Sequence, residues 1–267
     1  MAIDPGAVIH PSSVIEDGAQ IAAGVSIGPF CHVGPEVVLH PGVSLQSHVV
    51  VTGQTEIGED TSVFAFASLG QIPQDLKFKG EKTSLVIGKR NRIREYVTMN
   101  TGTEGGGGVT RVGDDCLFMS SSHVAHDVMI GNRVILVNSV AIAGHCHLED
   151  DVIVGGLSGV HQWVRIGHGA MIGALSMVTA DVLPNALVAG PRADVEGLNL
   201  VGLKRRGVAR SDIAALRDLY HVLSEGSFRE TARRLHDEGP ESPLVREVLD
   251  FILGPSDRSF LTPRPHK

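Results

Sequence analysis

The chain has 267 residues, enough for one large domain or two smaller ones. Glycine accounts for 32 residues, and aromatic residues make up only 4 % although the apolar fraction reaches 42 %. Such a core must be built from small and β-branched aliphatic side chains, which excludes an ordinary aromatic-rich α/β domain as the first expectation. The 20 % of charged residues and the mildly positive mean hydropathy also exclude wholesale disorder.

The sequence shows no targeting or anchoring segment. No apolar run approaches the roughly 20 residues that a membrane-spanning helix needs, and the N-terminal residues lack the basic and apolar regions of a secretory signal. The net charge is −7, whereas nucleic-acid binding requires a basic face. We therefore expect a cytoplasmic protein with no integral membrane segment and no nucleic-acid partner.

An aliphatic residue recurs at every sixth position along most of the chain. The series has eleven members over residues 9–69, three over 87–99 and twelve over 112–178. A second series, four residues later, contains only small or β-branched side chains. A period of six fits neither the 3.6-residue α-helix nor the two-residue repeat of a strand. It is typical of a β-helix whose coils each contain three short strands.

This hexapeptide pattern resembles that of the left-handed β-helix acyltransferases. The resemblance implies an all-β solenoid, wound as a left-handed parallel β-helix of hexapeptide repeats, over residues 1–190. All three cysteines, Cys31, Cys116 and Cys146, fall in the small-residue series. We therefore expect them to be buried packing residues rather than disulfide partners or metal ligands.

Two segments interrupt the repeat, at about residues 70–84 and 100–111. Both are predicted to be loops thrown out from corners of the β-helix, where function tends to reside. The run Gly105–Gly108 lacks the Gly-Lys-Ser/Thr sequence of a phosphate-binding P-loop, so we interpret it as part of a flexible loop.

Residues 191–267 differ in character and predict a C-terminal α-helical domain. Three helices are expected, because serine favours the N-cap position and glycine follows each helical pattern. The predicted N-cap residues are Ser211, Ser227 and Ser242.

One cluster of polar residues carries the chemistry. His126 lies at a predicted outward corner beside the acidic Asp127. A coil has 18 residues, so Gly144 lies one strand spacing from His126, where its missing side chain would let a substrate approach the backbone N–H. His145 and His161 fall on the same face. This arrangement suits a general base near neutral pH beside a backbone donor for an oxyanion.

Zinc is the alternative use of a histidine cluster. The β-helix carbonic anhydrases bind zinc through histidines. A site similar to theirs would contain a pair of histidine ligands five residues apart and a third ligand elsewhere. No two of the 13 histidines have this spacing, so we expect no metal site.

Several segments resemble the UDP-N-acetylglucosamine O-acyltransferase family of lipid A biosynthesis. They are SSSHVAHD, AGHCHL, GVHQW, QDLKFKGE, NRIRE and GLNLVGLKRRG. The resemblance covers essentially the whole chain, and the HVAHD and NLVGLKRRG segments are its most specific parts. It implies a homotrimer with active sites between subunits. It also implies transfer of an R-3-hydroxyacyl group from acyl carrier protein to the glucosamine 3-hydroxyl of UDP-N-acetylglucosamine.

The same resemblance assigns roles to single residues. His126 would deprotonate the 3-hydroxyl, Asp127 would orient His126, and the N–H of Gly144 would hold the oxyanion. The residues implied to contact the sugar, acyl chain or nucleotide are Gln74, Asp75, Lys77, His123, His145, His161, Gln162, Asn199, Arg205 and Arg206. No cofactor is implied, because the acyl carrier protein brings its own phosphopantetheine.

The sequence departs from the family pattern in places. Ala174 stands where the family sets acyl length and where some members have glycine, so we expect a shorter acyl chain. Val201 stands where the family often has an acidic residue, and Arg192 stands where it often has histidine. The effects of both departures are left open. The basic residues expected to dock the acidic carrier protein are Arg165, Lys204 and Arg217.

Alternatives from the same fold stay open at this point. An N-acyltransferase of the same pathway would resemble a β-helix preceded by a uridine-binding domain, and the repeats from Ile9 disfavour it. An acetyl-CoA-dependent enzyme would lack the KRRG and QDLK segments. A non-catalytic scaffold would have no reason to stack His126, Gly144 and His161. The sequence leaves open whether the acceptor is a 3-hydroxy or a 3-amino sugar.

Overall fold

A computed structural model describes residues 2–225 and 227–263. Its strands, most of them two residues long, form three sheets. Up to Met177–Val178, each strand pairs with the strand three places away in chain order. Pairing among these strands is parallel and typically joins residues 18 positions apart, such as Val124 and Ile142. These sheets confirm the predicted parallel β-helix, whereas its left-handed winding stays a prediction.

The sheets are named A, B and C in the order in which the chain meets them. Sheet A contains Ala2–Ile3, Gln20–Ile21, Val38–Leu39, Gln54–Ile57, Ser84–Ile87, Val109–Val112, Met129–Ile130, His147–Leu148 and Arg165–Ile166. Sheet B contains Val8–Ile9, Ser26–Ile27, Ser44–Leu45, Ser62–Val63, Arg92–Ile93, Leu117–Phe118, Ile135–Leu136, Ile153–Val154, Met171–Ile172, Ala186–Ala189 and Asp194–Leu198. Sheet C contains Val14–Ile15, His32–Val33, Val50–Val51, Ser68–Gln71, Thr98–Asn100, His123–Val124, Ala141–Ile142, Gly159–Val160 and Met177–Val178.

The six-residue aliphatic series forms the core. Every member from Ile21 to Val178 is buried, whereas Ile9 and Ile15 are only half-buried because they lie in the first coil. Burying one such side chain contributes about 1.5–3 kcal/mol. The three cysteines are also buried, as predicted. A core of this kind fixes the corners of each coil in register with those of its neighbours.

Corner 3, where the chain passes from sheet C to sheet A, positions the polar cluster. It contains residues 126–127, 144–145 and 162–163 in three successive coils. The second residue of each pair has a left-handed backbone, with φ of 59°, 61° and 68°. The amide of His145 donates to the carbonyl of His126 (3.1 Å), and the amide of Trp163 donates to that of Gly144 (3.2 Å). The corner is therefore a continuous hydrogen-bonded stack.

Both interruptions of the repeat leave the β-helix at corner 3. The first loop covers residues 72–83, and the second covers residues 101–108 and includes a 3₁₀-helix at Glu104–Gly106. These loops are shorter than the predicted 70–84 and 100–111, because their ends continue strands of sheets C and A. The next coil at the same corner holds residues 126–127, so the loops are positioned to cover that pair.

The chain leaves the β-helix through an antiparallel turn. Strand Asp194–Leu198 folds back on Ala186–Ala189 in sheet B, and four helices follow in the described part of the chain. They are α1 (Leu200–Arg205), α2 (Arg210–Ser224), α3 (Phe228–Asp237) and α4 (Pro243–Leu253).

The predicted helix starts are partly wrong. Helix α1 was not predicted, and its N-cap is Asn199. Ser211 lies inside α2, because that helix begins one residue earlier. Ser227 and Ser242 do stand at the N-caps of α3 and α4, but neither side chain bonds back to its own helix.

Helix α4 docks on the β-helix through polar contacts. His168 Nδ1 lies 2.7 Å from Glu247 Oε1. The Arg165 guanidinium lies 4.3 Å from the centroid of the Phe251 ring, and its Nε lies 2.7 Å from Asp181 Oδ2. This packing gives Arg165 a role within the fold, and its contact with the carrier protein stays a prediction. In residues 2–225 and 227–263, no helix is long and apolar enough to cross a membrane.

Candidate active site

His126 and Asp127 form a buried hydrogen-bonded pair at corner 3. The distance from His126 Nδ1 to Asp127 Oδ2 is 2.8 Å. His126 is 6 % exposed, although the sequence placed it at an outward corner, and the Asp127 side chain is fully buried. A carboxylate in this position accepts a hydrogen bond from Nδ1–H and leaves Nε2 as the basic nitrogen. The pair can therefore accept a proton from a bound hydroxyl.

The second loop holds the Asp127 carboxylate in place. Thr103 donates its backbone N–H to Asp127 Oδ1 (2.8 Å) and its hydroxyl to Oδ2 (2.6 Å). The Asp127 amide donates in turn to Thr110 Oγ1 (2.8 Å). A buried carboxylate needs such partners because desolvation of an unpaired charge is costly. Thr103 is thus a site residue that the sequence did not reveal.

Two glycines of this loop, Gly102 and Gly106, pack closely against Asp127, whereas a Cβ atom at Gly105, Gly107 or Gly108 would meet nothing within 4 Å. A Cβ atom added at Gly106 would lie 2.1 Å from Asp127 Cγ, and one at Gly102 would lie 2.8 Å from Asp127 Oδ1. Glycine at these two positions therefore lets the loop backbone close over the carboxylate.

Gly144 lies directly against the His126 ring, one coil further on. A Cβ atom at Gly144 would lie 2.5 Å from His126 Cε1 and 2.7 Å from Nε2. The Gly144 amide donates to no atom of the residues that the structure describes. The missing side chain thus makes room for the histidine, and the free amide lies close to the imidazole.

His145 and Trp163 continue the stack above His126. The rings of His145 and Trp163 lie 3.9 Å apart and almost parallel, and the His126 and His145 rings meet edge to face at 4.9 Å. Burial lowers the pKa of His145, and His126 and Lys77 lower it further against the opposing carboxylates of Asp127 and Asp75. Trp163 was missed, although it follows His145 by the 18 residues of one coil.

His123 approaches the same corner from sheet C. Its Nδ1 lies 2.7 Å from Thr98 Oγ1, on the neighbouring strand. Burial lowers the pKa of His123, and the nearby His126 lowers it further. Both effects favour the neutral form of His123 beside His126. Thr98 is a second contact that the sequence did not indicate.

The first loop carries Gln74, Asp75 and Lys77. Asp75 Oδ1 accepts the Lys77 amide (3.0 Å) and so shapes the turn, while the Gln74 and Lys77 side chains are exposed. Asp75 and Lys77 both act on the pKa of His145, which places their charges within electrostatic range of the stack. The loop that carries all three residues leaves the β-helix at corner 3, the corner that also holds His126.

His161 and Gln162 lie just before Trp163, at the end of a strand of sheet C. Arg258, from the segment after α4, lies 2.7 Å from His161 Nδ1 and donates its Nε–H to the Gln162 carbonyl (3.0 Å). No sequence pattern indicates this contact, because 97 residues separate Arg258 from His161.

Asn199 and Arg206 make structural contacts of their own. Asn199 accepts the Gly202 amide (2.9 Å) as the N-cap of α1 and donates to the Gly169 carbonyl (2.9 Å). Arg206 donates to Asn185 Oδ1. Arg205 is exposed, so its charge is open to a ligand. The ligand roles of these residues stay predictions.

Ala174 lies at a different corner from His126. It is exposed at corner 2, between sheets B and C, in the column that also contains Leu157 and Leu175. A single chain therefore does not bring Ala174 and His126 together. Arg192 and Val201 are also exposed, and nothing in the structure explains either departure.

The only grouping with metal-ligand character in the described residues is His126, Asp127 and His145, whose candidate ligand atoms lie within 4.8 Å of one another. Asp127 Oδ2 already accepts from His126 and Thr103. The geometry supports proton transfer by the His126–Asp127 pair, and the expected absence of a metal stays a prediction.

Comparisons with known proteins agree with this architecture. A family model described as UDP N-acetylglucosamine O-acyltransferase, domain 2, matches residues 181–261. A protein of Paracoccus denitrificans named acyl-[acyl-carrier-protein]--UDP-N-acetylglucosamine O-acyltransferase is 73 % identical over 76 % of this chain and 77 % of its own length. A Sinorhizobium fredii protein of the same name is 49 % identical over 83 % of each chain.

Solved structures give the same result. A crystal structure of a UDP-N-acetylglucosamine acyltransferase covers 100 % of both chains at 41 % identity, with a TM-score of 0.87. The corresponding protein from Campylobacter jejuni is 37 % identical, with a TM-score of 0.90, and the match covers 96 % of this chain and 100 % of that one. The chain described here belongs to the UDP-N-acetylglucosamine O-acyltransferase family.

Proposed function

We propose that this chain transfers an R-3-hydroxyacyl group from acyl carrier protein to the glucosamine 3-hydroxyl of UDP-N-acetylglucosamine, the first step of lipid A biosynthesis. The observation that carries the proposal is the buried His126–Asp127 pair, joined at 2.8 Å, beneath two loops that leave the β-helix at the same corner. The names of the relatives support the donor and acceptor.

His126 acts as the general base. Asp127 accepts a hydrogen bond from Nδ1–H, so Nε2 takes the proton of the 3-hydroxyl as the hydroxyl oxygen attacks the thioester carbonyl. The charge that develops on imidazole is then balanced by the adjacent carboxylate. A positioned base of this kind typically contributes about 10²- to 10⁴-fold to the rate.

The Gly144 amide stabilises the oxyanion of the tetrahedral intermediate. When the intermediate collapses, the carbon–sulfur bond breaks, and His126 returns its proton to the departing phosphopantetheine thiolate. Loss of one oxyanion donor typically costs about 10²- to 10³-fold in kcat. Direct transfer needs no covalent acyl-enzyme, and no bound cofactor is proposed.

The remaining polar residues orient the two substrates. Asp75 and Lys77 lie within electrostatic range of His145 and would contact the sugar and acyl chain, with Gln74 beside them. The exposed guanidinium of Arg205 would bind the diphosphate by charge-assisted hydrogen bonds. Asn199 and Arg206 would act from positions that the fold already fixes.

The catalytic unit is proposed to be a homotrimer with active sites between subunits. Ala174, which would limit acyl length, lies at a different corner from His126, so a second copy is needed to bring the two together. Sheet B offers an apolar outer row for such contacts, and Leu76 in the first loop is fully exposed. The half-buried members of that row are Leu117, Ile135, Ile153 and Met171.

An acyl-transfer assay tests the activity. Purified chain, hydroxyacyl carrier protein and UDP-N-acetylglucosamine should give acylated nucleotide, and His126→Ala should reduce kcat by about 10²-fold or more. Undiminished transfer by His126→Ala would refute the mechanism. Running the 3-amino analogue as a competing acceptor determines which sugar is preferred.

A mixing experiment tests the shared site. Light scattering should give three times the chain mass. Two inactive variants, one altered at His126 and one at a residue supplied by the neighbouring copy, should regain activity when refolded together. A monomeric mass with full activity would overturn the proposed trimer.

A further inference from the structure

The segment after α4 lies against the β-helix and is held there by a buried carboxylate. Asp181 is fully buried, and its Oδ2 accepts from Arg165 Nε and from the Ser256 hydroxyl, both at 2.7 Å. The Asp181 backbone pairs with the same segment, donating to the Ser259 carbonyl and accepting from the Leu261 amide at 2.8 Å each. This docking fixes the position of Arg258 between its anchors.

From this position Arg258 reaches the end of a sheet C strand. Its guanidinium lies 2.7 Å from His161 Nδ1, and its Nε–H donates to the Gln162 carbonyl at 3.0 Å. An arginine can only donate hydrogen bonds. His161 Nδ1 is therefore an acceptor, and the neutral ring carries its proton on Nε2. The carbonyl of Gln162 lies 3.3 Å from the same Nδ1, and the guanidinium satisfies both acceptors.

The backbone of His161 is held independently of Arg258. Its amide donates to the Val178 carbonyl (2.8 Å), and its carbonyl accepts from Cys146 Sγ (3.0 Å). Removal of the guanidinium would thus release the imidazole while the strand stays in place. The His161 side chain is exposed, and Nε2 has no partner in the described part of the chain.

We propose that Arg258 is a positioning residue for the nucleotide-sugar site, which fixes the His161 ring so that its Nε2–H donates to an oxygen of UDP-N-acetylglucosamine. This inference rests on the proposed function, because it assigns the ligand of His161 from that activity. Arg258 itself stays bound to protein groups and acts through His161. The C-terminal segment is then part of the substrate site rather than a mere covering of the β-helix.

Kinetics of Arg258→Met separates positioning from catalysis. Methionine keeps most of the side-chain length and removes the donors. We expect the KM for UDP-N-acetylglucosamine to rise about 5- to 10-fold, as for one weakened hydrogen bond, with kcat within about twofold. Arg258→Lys should recover part of the loss, because one ammonium can still donate to Nδ1.

Arg229→Met is the matched control. Arg229 also contacts the C-terminal segment, with its guanidinium 5.5 Å from the Phe260 ring centroid. A purely structural role for Arg258 predicts the same rise in KM and the same fall in Tm for both variants, and that result would overturn the proposal. So would an unchanged KM in Arg258→Met.

Nitrogen-15 NMR of labelled histidine gives a readout that needs no activity. His161, assigned by its loss in His161→Gln, should show an unprotonated Nδ1 in the native protein and a mixture of tautomers in Arg258→Met. A protonated Nδ1 in the native protein would contradict the inference. If the native protein failed to transfer acyl groups, the proposed function would fall, while the NMR result would still decide whether Arg258 fixes the ring.

Discussion

His126 and Asp127 are neighbours in sequence, yet their side chains meet, with Nδ1 and Oδ2 only 2.8 Å apart. Consecutive side chains on an extended strand point to opposite faces. Here the corner changes the direction of the chain, because Asp127 has a left-handed backbone with φ of 59°. Thr103 then holds the carboxylate from the other side. The pair therefore depends on both the corner and the loop.

Asp127→Asn should lower kcat while leaving substrate binding nearly unchanged. An amide has only one acceptor oxygen, so it cannot accept from both the Thr103 backbone N–H and His126 Nδ1–H, and His126 loses the tautomer with a basic Nε2. By analogy with other His–Asp pairs, we expect a loss of about 10²- to 10⁴-fold in kcat. Asp115→Asn is a suitable control, since Asp115 has the same φ of 59° at an exposed corner. Equal losses in both variants would contradict a catalytic role for Asp127.

Gly106→Ala should disturb the same pair from the loop. The added Cβ would lie 2.1 Å from Asp127 Cγ, so either the carboxylate or the loop must move. We expect at least a 10-fold loss in kcat, as for a displaced catalytic group. Gly105→Ala is the control, because nothing lies within 4 Å of a Cβ at that neighbouring position. Full activity in both variants would show that the loop does not hold Asp127.

Stability should depend on pH through His168. The hydrogen bond that His168 donates to the Glu247 carboxylate raises the pKa of His168 above its ordinary value of 6.5, against the opposing effect of burial. The protonated form is thus favoured by folding, so this contribution is complete below pH 6.5 and is lost as pH rises through the raised value.

Urea unfolding of native protein and His168→Gln across this range measures the effect. The difference in the free energy of unfolding between the two should shrink as pH increases. Glu247→Gln should remove the same pH dependence, and the double variant should add nothing further. A difference that grows with pH would give the wrong sign and reject the assignment.

Ala174→Gly should extend the accepted acyl chain. The methyl group of Ala174 projects from corner 2, where it would narrow the end of the groove contributed by a second copy. Competition between hydroxyacyl carrier proteins of different length is the measurement. The glycine variant should shift kcat/KM towards longer chains, by about 10-fold or more for one methylene. No gain on longer chains would remove Ala174 from the acyl site.

Cys116 and Cys146 should resist alkylation in the folded protein. Both are fully buried, and burial raises the pKa of each thiol to about 12. The thiolate is the reactive form, so neither burial nor protonation permits attack. Mass spectrometry after iodoacetamide treatment should show modification of these residues only in urea. Rapid labelling without denaturant would indicate that the coils open.

Some residues of the site at corner 3 can be placed from the sequence, and others cannot. His126, Gly144 and His145 could be placed together because a coil has a constant length, and the same count reaches Trp163. Thr103 could not be placed, since its loop breaks the repeat and no period connects it to Asp127. Asn199 was expected at a ligand, and only the structure shows that it also caps α1.

The sequence by itself determined the β-helix, because each coil must bury one aliphatic side chain per strand and this need recurs every six residues. It also determined that His126 and Gly144 are neighbours. The tertiary structure alone decided how the loop glycines close over Asp127, and how Arg258 meets His161 across 97 residues. Contacts between a regular scaffold and irregular segments depend on where those segments dock in three dimensions, and no local pattern of residues records that.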